Sequence, residues 1–402
     1  MKYIVFLGDG MADVPVKKLG GKTPLQVAKK PNMDRIAREG RCGLFCTVPA
    51  DLPPGSEVAN LGVMGYDART CGYGRGALEA ASMGVSIAAN DMAMRCNIIT
   101  LEDGRFKSHS AGNISSAESD ELLGVMRAEF GGPGRTFYAG VDYRHLFVGR
   151  DLSPDLVCAP PHDHPGELAE KNMIKPRNEG AAFTAELLNR MTRRSWELLE
   201  HHPLNERRRA EGKLPGNSIW LWSPGRRPTM WTYKERFGIS GAVISAVDLI
   251  RGIGVYAGFE VFRVEGATGL WNTNFEGKAA ACLAALEDHD FVYLHVEAAD
   301  EASHEGNLEH KIHSIESMDL RLIGPVLAEL EKRREKAVVA ILPDHPTPVE
   351  SRVHIHGDVP FAIMGVGIEP DAVERYDEDA CKKGGYGVLE GDQFIKAVLG
   401  RE

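Results

Sequence analysis

D-F-V-Y-L-H-V-E-A-A-D-E-A-S-H, residues 290–304, runs from a strand straight into ligand-type side chains. Phe291 to Val296 is apolar except for His295, the pattern of a strand buried on both faces of a parallel sheet. Acids and a histidine follow at once. Asp300 and His304 stand four residues apart. One helical turn puts them on the same face, where both reach a single metal ion. The other ligands must come from elsewhere in the chain.

Two further strands end the same way. Tyr3 to Leu7 runs into Gly8-Asp9-Gly10, whose glycines allow a sharp turn and leave Asp9 at the strand's carboxyl end. Ala337 to Leu342 runs into Pro343-Asp344-His345, and His354 and His356 follow shortly after. Between them the pattern predicts helices to 28, over 31–39 with Asn32 as N-cap, over 241–251, over 277–286 and within 310–332. It predicts strands over 43–48 and 258–264. This alternation predicts an α/β core: a doubly wound, mostly parallel sheet with helices on both faces. Ligand sites of such sheets lie at the carboxyl edge of the strands, where all three sets fall.

Asp51-Leu52-Pro53-Pro54-Gly55-Ser56 is the next loaded stretch, with Ser56 at the start of a helix over 58–64. A serine there caps the helix or serves as a nucleophile whose phosphorylated form the helix end stabilises. No capping box is available, because Ala59 stands at the partner position. Glycine-rich Gly72 to Glu79 carries Arg75, either a phosphate or carboxylate clamp or a surface arginine in a flexible loop. It lacks the G-K-[ST] of a P-loop.

From about residue 90 the texture changes. A strand over 94–100, an amphipathic helix over 117–130 and a hairpin over 136–148 are expected. The rigid loop Pro160-Pro161-His162-Asp163 follows, then a long helix over 181–200. The basic run Arg207-Arg208-Arg209 reads as a solvated helical face. No parallel rhythm is visible. The expected organisation is a discontinuous core, 1–89 and 236–402, with an inserted α+β domain at 90–235.

Length and charge fit this. A chain of 402 residues suggests two domains or one core with a large insertion. The formal charge of −10 argues against a nucleic-acid partner, which needs a basic face. No signal peptide and no membrane span is expected. Seven cysteines without a C-x-x-C pair suit reduced thiols in the cytoplasm.

Three aspartates, three histidines and a serine at one sheet edge exceed the needs of one ion and suit two. Two divalent ions roughly 4 Å apart hold the entering and leaving oxygens of a phosphoryl transfer, and one of them ionises a serine nucleophile. Mn²⁺ is expected first, with Mg²⁺ or Zn²⁺ as alternatives.

The motifs D-G-M at 9–11, P-G-S at 54–56, D-E-x-x-H at 300–304, D-H at 344–345 and the later His354 resemble the alkaline phosphatase superfamily. Within it the chain resembles the archaeal-type, 2,3-bisphosphoglycerate-independent phosphoglycerate mutases. Further shared stretches are L-G-G-K-T-P-L at 19–25, G-R-G-A-L-E-A at 74–80, R-C-N at 95–97, Y-R-H at 143–145 and D-L-I-R-G-I-G at 248–254. The resemblance implies that Asp9, Ser56, Asp344 and His345 bind one metal, and that Asp300, His304 and His354 bind the other. His354 is preferred to His356 for its distance to Val359-Pro360-Phe361. It implies further that Ser56 accepts the phosphoryl group of 3-phosphoglycerate and returns it to the other hydroxyl, giving 2-phosphoglycerate with no 2,3-bisphosphoglycerate. Lys278 would contact the transferring group. Arg75, Arg95, Arg144, His145, His162 and Asp163 would hold the glycerate, with His162 or Asp163 handling its hydroxyl protons. The insertion would exclude water from the phosphoserine. Two alternatives share this core: a metal-dependent phosphohydrolase and a phosphotransferase of the homoserine-kinase kind. Asn113, where relatives often carry histidine, keeps the second open.

Overall fold

The computed structural model describes residues 1–72 and 74–401; Tyr73 of the glycine-rich stretch lies outside them. The chain forms two compact units, Met1–Cys71 with Met230–Glu402, and Gly72–Thr229.

The first unit is built on an eight-stranded sheet. Its order is Glu260–Phe262, Gly241–Ile244, Phe291–Val296, Lys2–Gly8, Ala337–Leu342, Val359–Gly365, Arg41–Cys46, Val388–Glu390. The first five run parallel. Val359–Gly365 is antiparallel to both its neighbours, and the edge strand Val388–Glu390 is parallel to Arg41–Cys46. The sheet is thus α/β and mostly parallel, as its apolar runs predicted. The three strands that end in ligand-type residues are direct neighbours. Leu7 pairs with both His295 and Leu342, so the three ends stop level with one another. Ile4, Phe6, Val292, Leu294, Val339 and Ile341 are buried in one core with Ile315, Leu322 and Val326 of the covering helices.

The second unit holds an antiparallel five-stranded sheet centred on Asp91–Glu102. Ser218–Arg226 lies on one side of that strand and Arg144–Arg150 on the other. Helices Ser116–Phe130 and Ala182–Leu199 supply its core residues Leu122, Met126, Leu188 and Met191.

Five expectations need correction. Residues 75–82 form a helix of the second unit, not a loop of the first. Gly76 makes this possible: a Cβ there would come 2.3 Å from the Ala93 carbonyl oxygen, so only glycine lets the helix lie this close to the strand. The unit boundaries therefore fall at 71/72 and 229/230 rather than at 89/90 and 235/236. Residues 241–244 are a buried strand, and the helix starts only at Asp248. A short apolar run does not tell strand from buried helix, and pairing with Phe291–Val296 decides it. Asn32 is not an N-cap, because helix Pro31–Arg38 already begins before it. The carboxylate of Asp319, far along the chain, accepts the Asn32 and Met33 N–H groups instead. Arg208, expected in solvent, is buried between the Glu118 carboxylate and the carbonyls of Ala111 and Leu214.

Among the described residues, no helix is long and apolar enough to cross a membrane.

Candidate active site

Asp9, Asp300 and Asp344 meet at the carboxyl edge because their strands are adjacent and parallel. Gly10 fits between them with φ of 60°, and a Cβ there would lie 2.5 Å from Asp300 Oδ1. Its N–H donates to Asp344 Oδ1 at 3.2 Å. Asp9, Asp344 and His345 form one donor group; Asp300, His304 and His354 form another. Asp344 and His345 are fully buried, and Asp9 is 1 % exposed.

Ser56 is the first residue of helix Ser56–Val63, which Gly55 precedes with no side-chain cap. Its hydroxyl does not cap the helix. It faces the first donor group, with Oγ 3.2 Å from His345 Nε2. Asn60, one turn on, fixes that helix to the site. Its Nδ2 donates to Ser56 O and to Asp344 Oδ2, each at 2.9 Å, while its Oδ1 accepts from the Tyr293 hydroxyl at 2.6 Å.

The three histidines share one arrangement. His304 Nδ1 donates to Arg352 O at 2.9 Å, and His354 Nδ1 donates to Pro54 O at 3.0 Å. His345 Nδ1 faces Thr347 Oγ1 at 3.1 Å. Each Nε2 therefore turns inward. His304 Nε2 lies 3.1 Å from Asp300 Oδ2, and His354 Nε2 lies 3.5 Å from Asp300 Oδ1. His356 is directed elsewhere: its Nε2 donates to Leu52 O at 2.8 Å.

A cation suits these donors. The Nε2 atoms of His304 and His354 face each other at 2.9 Å although both rings already donate through Nδ1. At that distance at least one Nε2 carries a proton, which it also offers to Asp300, unless a metal takes both lone pairs. Asp9 Oδ1 is buried with no hydrogen-bond partner. Burial, then Asp344, Asp300 and Glu297, push the Asp9 carboxyl well above its usual range. So much negative charge out of water calls for a divalent counter-ion. Carboxylate oxygens with imidazole nitrogens suit Mn²⁺, Zn²⁺ or Mg²⁺. Burial works against ionised Asp300, yet hydrogen bonds from His304 and His354 hold it well below the usual range.

A third cluster, Asp9, His295 and Glu297, adjoins the first. His295 Nε2 lies 2.9 Å from Asp9 Oδ2, and its Nδ1 faces Ser245 Oγ at 3.2 Å. Burial, then Asp300 and Glu301, push Glu297 up to about 8, and Lys278 opposes them. Lys278 thus partly offsets the acids here, and His295 is in hydrogen-bond contact with Asp9. Lys278 itself is fully buried. Its Nζ donates to His295 O at 2.8 Å, and burial brings it down to about 8. It supports this strand end from within, and the structure does not bring it to the surface of the site.

The remaining expected residues belong to the second unit. Arg95 lies over the Trp222 ring at 4.3 Å, with Nε 3.1 Å from Glu79 Oε2. His162 packs edge-on against Trp222 at 5.4 Å and against His109 at 6.0 Å. Arg144 lies over Tyr143 at 5.1 Å. Burial, then Arg75 and Arg144, lower Arg95, with Glu79 opposing; burial, then His109, Arg95 and Arg75, lower His162 against Asp163. Arg75, Arg95, Arg144 and His162 thus make one basic cluster with aromatic walls. Asp163 adjoins it, 3.6 Å from His162 Nε2. His145 is not part of it. It is buried, its Nδ1 accepts from Gly140 N at 3.2 Å, and its charged neighbours are Asp120 and Arg127. Asn113 sits in an exposed turn, where its Oδ1 accepts from Ser110 Oγ.

Sequence reading missed Asn60, Tyr293, Thr347, His109 and Trp222. Asn60 was visible as the one amide in the run V-A-N-L-G-V, one turn after Ser56. The others gave no signal, because only pairing between distant strands and loops brings them in.

Residues 37–205 match the family described as 2,3-bisphosphoglycerate-independent phosphoglycerate mutase. A Methanosarcina acetivorans protein of that name is 47% identical over 99% of this chain and 100% of its own length. The chain belongs to the 2,3-bisphosphoglycerate-independent phosphoglycerate mutase family. A Geobacter sulfurreducens relative, named "Probable 2,3-bisphosphoglycerate-independent phosphoglycerate mutase", is 49% identical over the full length of both chains. The PH0037 protein of Pyrococcus horikoshii is similar in structure, with a TM-score of 0.83 and 31% identity over 100% of this chain and 98% of its own. The cofactor-independent phosphoglycerate mutase of Thermoplasma acidophilum shares the fold, with a TM-score of 0.67 and 24% identity over 100% and 99%. The two donor groups carry the oxygen and nitrogen ligands that suit divalent metal ions.

Proposed function

We propose that this chain interconverts 3-phosphoglycerate and 2-phosphoglycerate, with Ser56 as the residue that carries the phosphoryl group between the two hydroxyls. The observation that carries the reading is Ser56 Oγ at a helix start, 3.2 Å from His345 Nε2 and beside two groups of metal-ligand side chains, one buried and one partly open to solvent. Two divalent cations, Mn²⁺ first among candidates, would be held by Asp9, Ser56, Asp344 and His345 and by Asp300, His304 and His354. When bound they neutralise the phosphoryl charge and lower the pKa of the serine hydroxyl.

Each half-reaction is an in-line transfer. Ser56 Oγ loses its proton and bonds to phosphorus while the bond from phosphorus to the glycerate oxygen breaks. The released alkoxide takes a proton. In the second half the other glycerate hydroxyl loses a proton, attacks phosphoserine and restores Ser56. No proton or phosphoryl group is gained or lost overall. The start of helix Ser56–Val63 favours the negative charge on phosphoserine. Asn60 holds that helix against Asp344, so the nucleophile does not drift.

The glycerate carboxylate needs a fork of donors, and we assign it to Arg75, Arg95 and Arg144 of the second unit. His162, lowered by burial, stays neutral near pH 7 and with Asp163 is our candidate for moving the hydroxyl protons. The enzyme works on a small phosphorylated anion, and we place it in the cytoplasm.

The test is 3-phosphoglycerate with Mn²⁺, Mg²⁺ or Zn²⁺ in turn, following 2-phosphoglycerate and free phosphate together. Formation of 2-phosphoglycerate without added 2,3-bisphosphoglycerate is expected. Stoichiometric phosphate release without it would replace the mutase by a phosphohydrolase.

A further inference from the structure

Of the three Nδ1 acceptors that aim the site histidines, two are backbone carbonyls and one is a side chain, Thr347. Thr347 is fully buried, two residues after His345. Its Oγ1 donates to Asp300 Oδ1 at 2.6 Å, since a carboxylate oxygen has no proton to give. The hydroxyl has only that one proton. The 3.1 Å contact with His345 must then be made by Nδ1–H donating to the threonine oxygen. That leaves the Nε2 lone pair facing Ser56 Oγ at 3.2 Å, Asp344 Oδ2 at 3.4 Å and Asp9 Oδ1 at 3.6 Å. The same hydroxyl therefore touches one ligand from each donor group. Its backbone is held equally firmly. Thr347 N donates to Ala12 O at 3.2 Å, and Thr347 O accepts from Lys311 Nζ at 2.8 Å.

We propose that Thr347 is a positioning residue that fixes His345 as the Nδ1–H tautomer and couples the two metal-donor groups through one hydroxyl. Thr347→Val keeps the shape and removes both contacts. His345 then loses the acceptor that selects its tautomer, and Asp300 loses its tether. A partner of this kind typically changes metal affinity by about 10–100-fold. The inference rests on reading the two groups as metal sites, and the experiment separates the two claims.

The full-length chain, its Thr347→Val and its Thr347→Ser variants are titrated with Mn²⁺ by calorimetry. The ¹⁵N shifts of the His345 ring are read in the metal-depleted wild-type chain. Expected are two ions per wild-type chain, affinity lowered about 10–100-fold at both sites in Thr347→Val, and near-complete rescue in Thr347→Ser. The ¹⁵N shifts should show the proton on Nδ1. Wild-type affinity at both sites in Thr347→Val overturns the coupling. A proton on Nε2 in the wild type overturns the tautomer assignment even if the valine variant fails to fold. A wild-type chain that binds no Mn²⁺ sinks the metal-site reading itself.

Discussion

At the residue scale, the site depends on Ser56 and on histidines whose far nitrogens are already engaged. Replacing Ser56 by Ala removes the only group proposed to bond to phosphorus. Mutase activity should fall at least about 10⁴-fold, with an unchanged melting temperature. Retention of activity in Ser56→Ala, measured as 2-phosphoglycerate formed, would discard the covalent route. The two late histidines give a sharper contrast. His354 turns Nε2 toward Asp300 and His304, whereas His356 donates to a loop carbonyl. His354→Ala should lose one ion per chain by elemental analysis, and His356→Ala should keep both. Position 300 behaves like 354: Asp300→Ala should also empty one site and leave the fold. These donor groupings were legible because the chemistry of Asp and His at a strand end is local. Choosing between His354 and His356 was not local, because it turns on where the loop over 343–358 folds back.

At the element scale, two loops that carry ligand-type residues are tied to a helix by one buried ion pair. Lys311 Nζ donates to Asp13 Oδ2 and to Thr347 O, each at 2.8 Å, and both side chains are completely buried. The pair joins the loop after Lys2–Gly8, the loop after Ala337–Leu342 and helix Leu308–Met318. Lys311→Ala leaves Asp13 charged and unpaired out of water. We expect a loss of about 3–5 kcal/mol in urea unfolding, and less than about 1 kcal/mol would show that water replaces the lysine. Strands such as Phe291–Val296 were read correctly because a doubly buried strand is apolar throughout. The strand Gly241–Ile244 was misread because four apolar residues fit a buried helix equally well. Arg75–Ser82 was misread because its helix depends on a glycine that matters only once Ala93 lies against it.

On the scale of the whole molecule, the first unit gathers acids that repel one another, and the second buries a base. Adding Mn²⁺ should raise the melting temperature of the first unit, because the ions bind the folded state and not the unfolded chain. A chelator should reverse the change, and a melting curve indifferent to both would count against the donor groups. In the second unit, burial lowers His145 to about 4 from its ordinary 6.5, and its Nε2 is buried without a partner. The unfolded chain takes up a proton below about pH 6.5, while the folded one does not until about pH 4. Stability of that unit should thus fall as pH drops across this window, by up to about 3 kcal/mol, and level off below it. His145→Gln should flatten the dependence, as followed by fluorescence of the unit's tryptophans.

The sequence by itself determined the parallel core, the three strand ends that carry acids, the serine at a helix start and the presence of an insertion. All of these rest on short-range periodicity, turn chemistry and ligand type. Tertiary structure alone decided the boundary at Gly72, the grouping of His354 rather than His356 with Asp300 and His304, and the burial of Lys278 and His145. It alone recruited Asn60, Tyr293 and Thr347. The reason is physical. Whether a polar side chain faces a ligand or a carbonyl depends on what packs against it, and those neighbours lie hundreds of residues away in the chain.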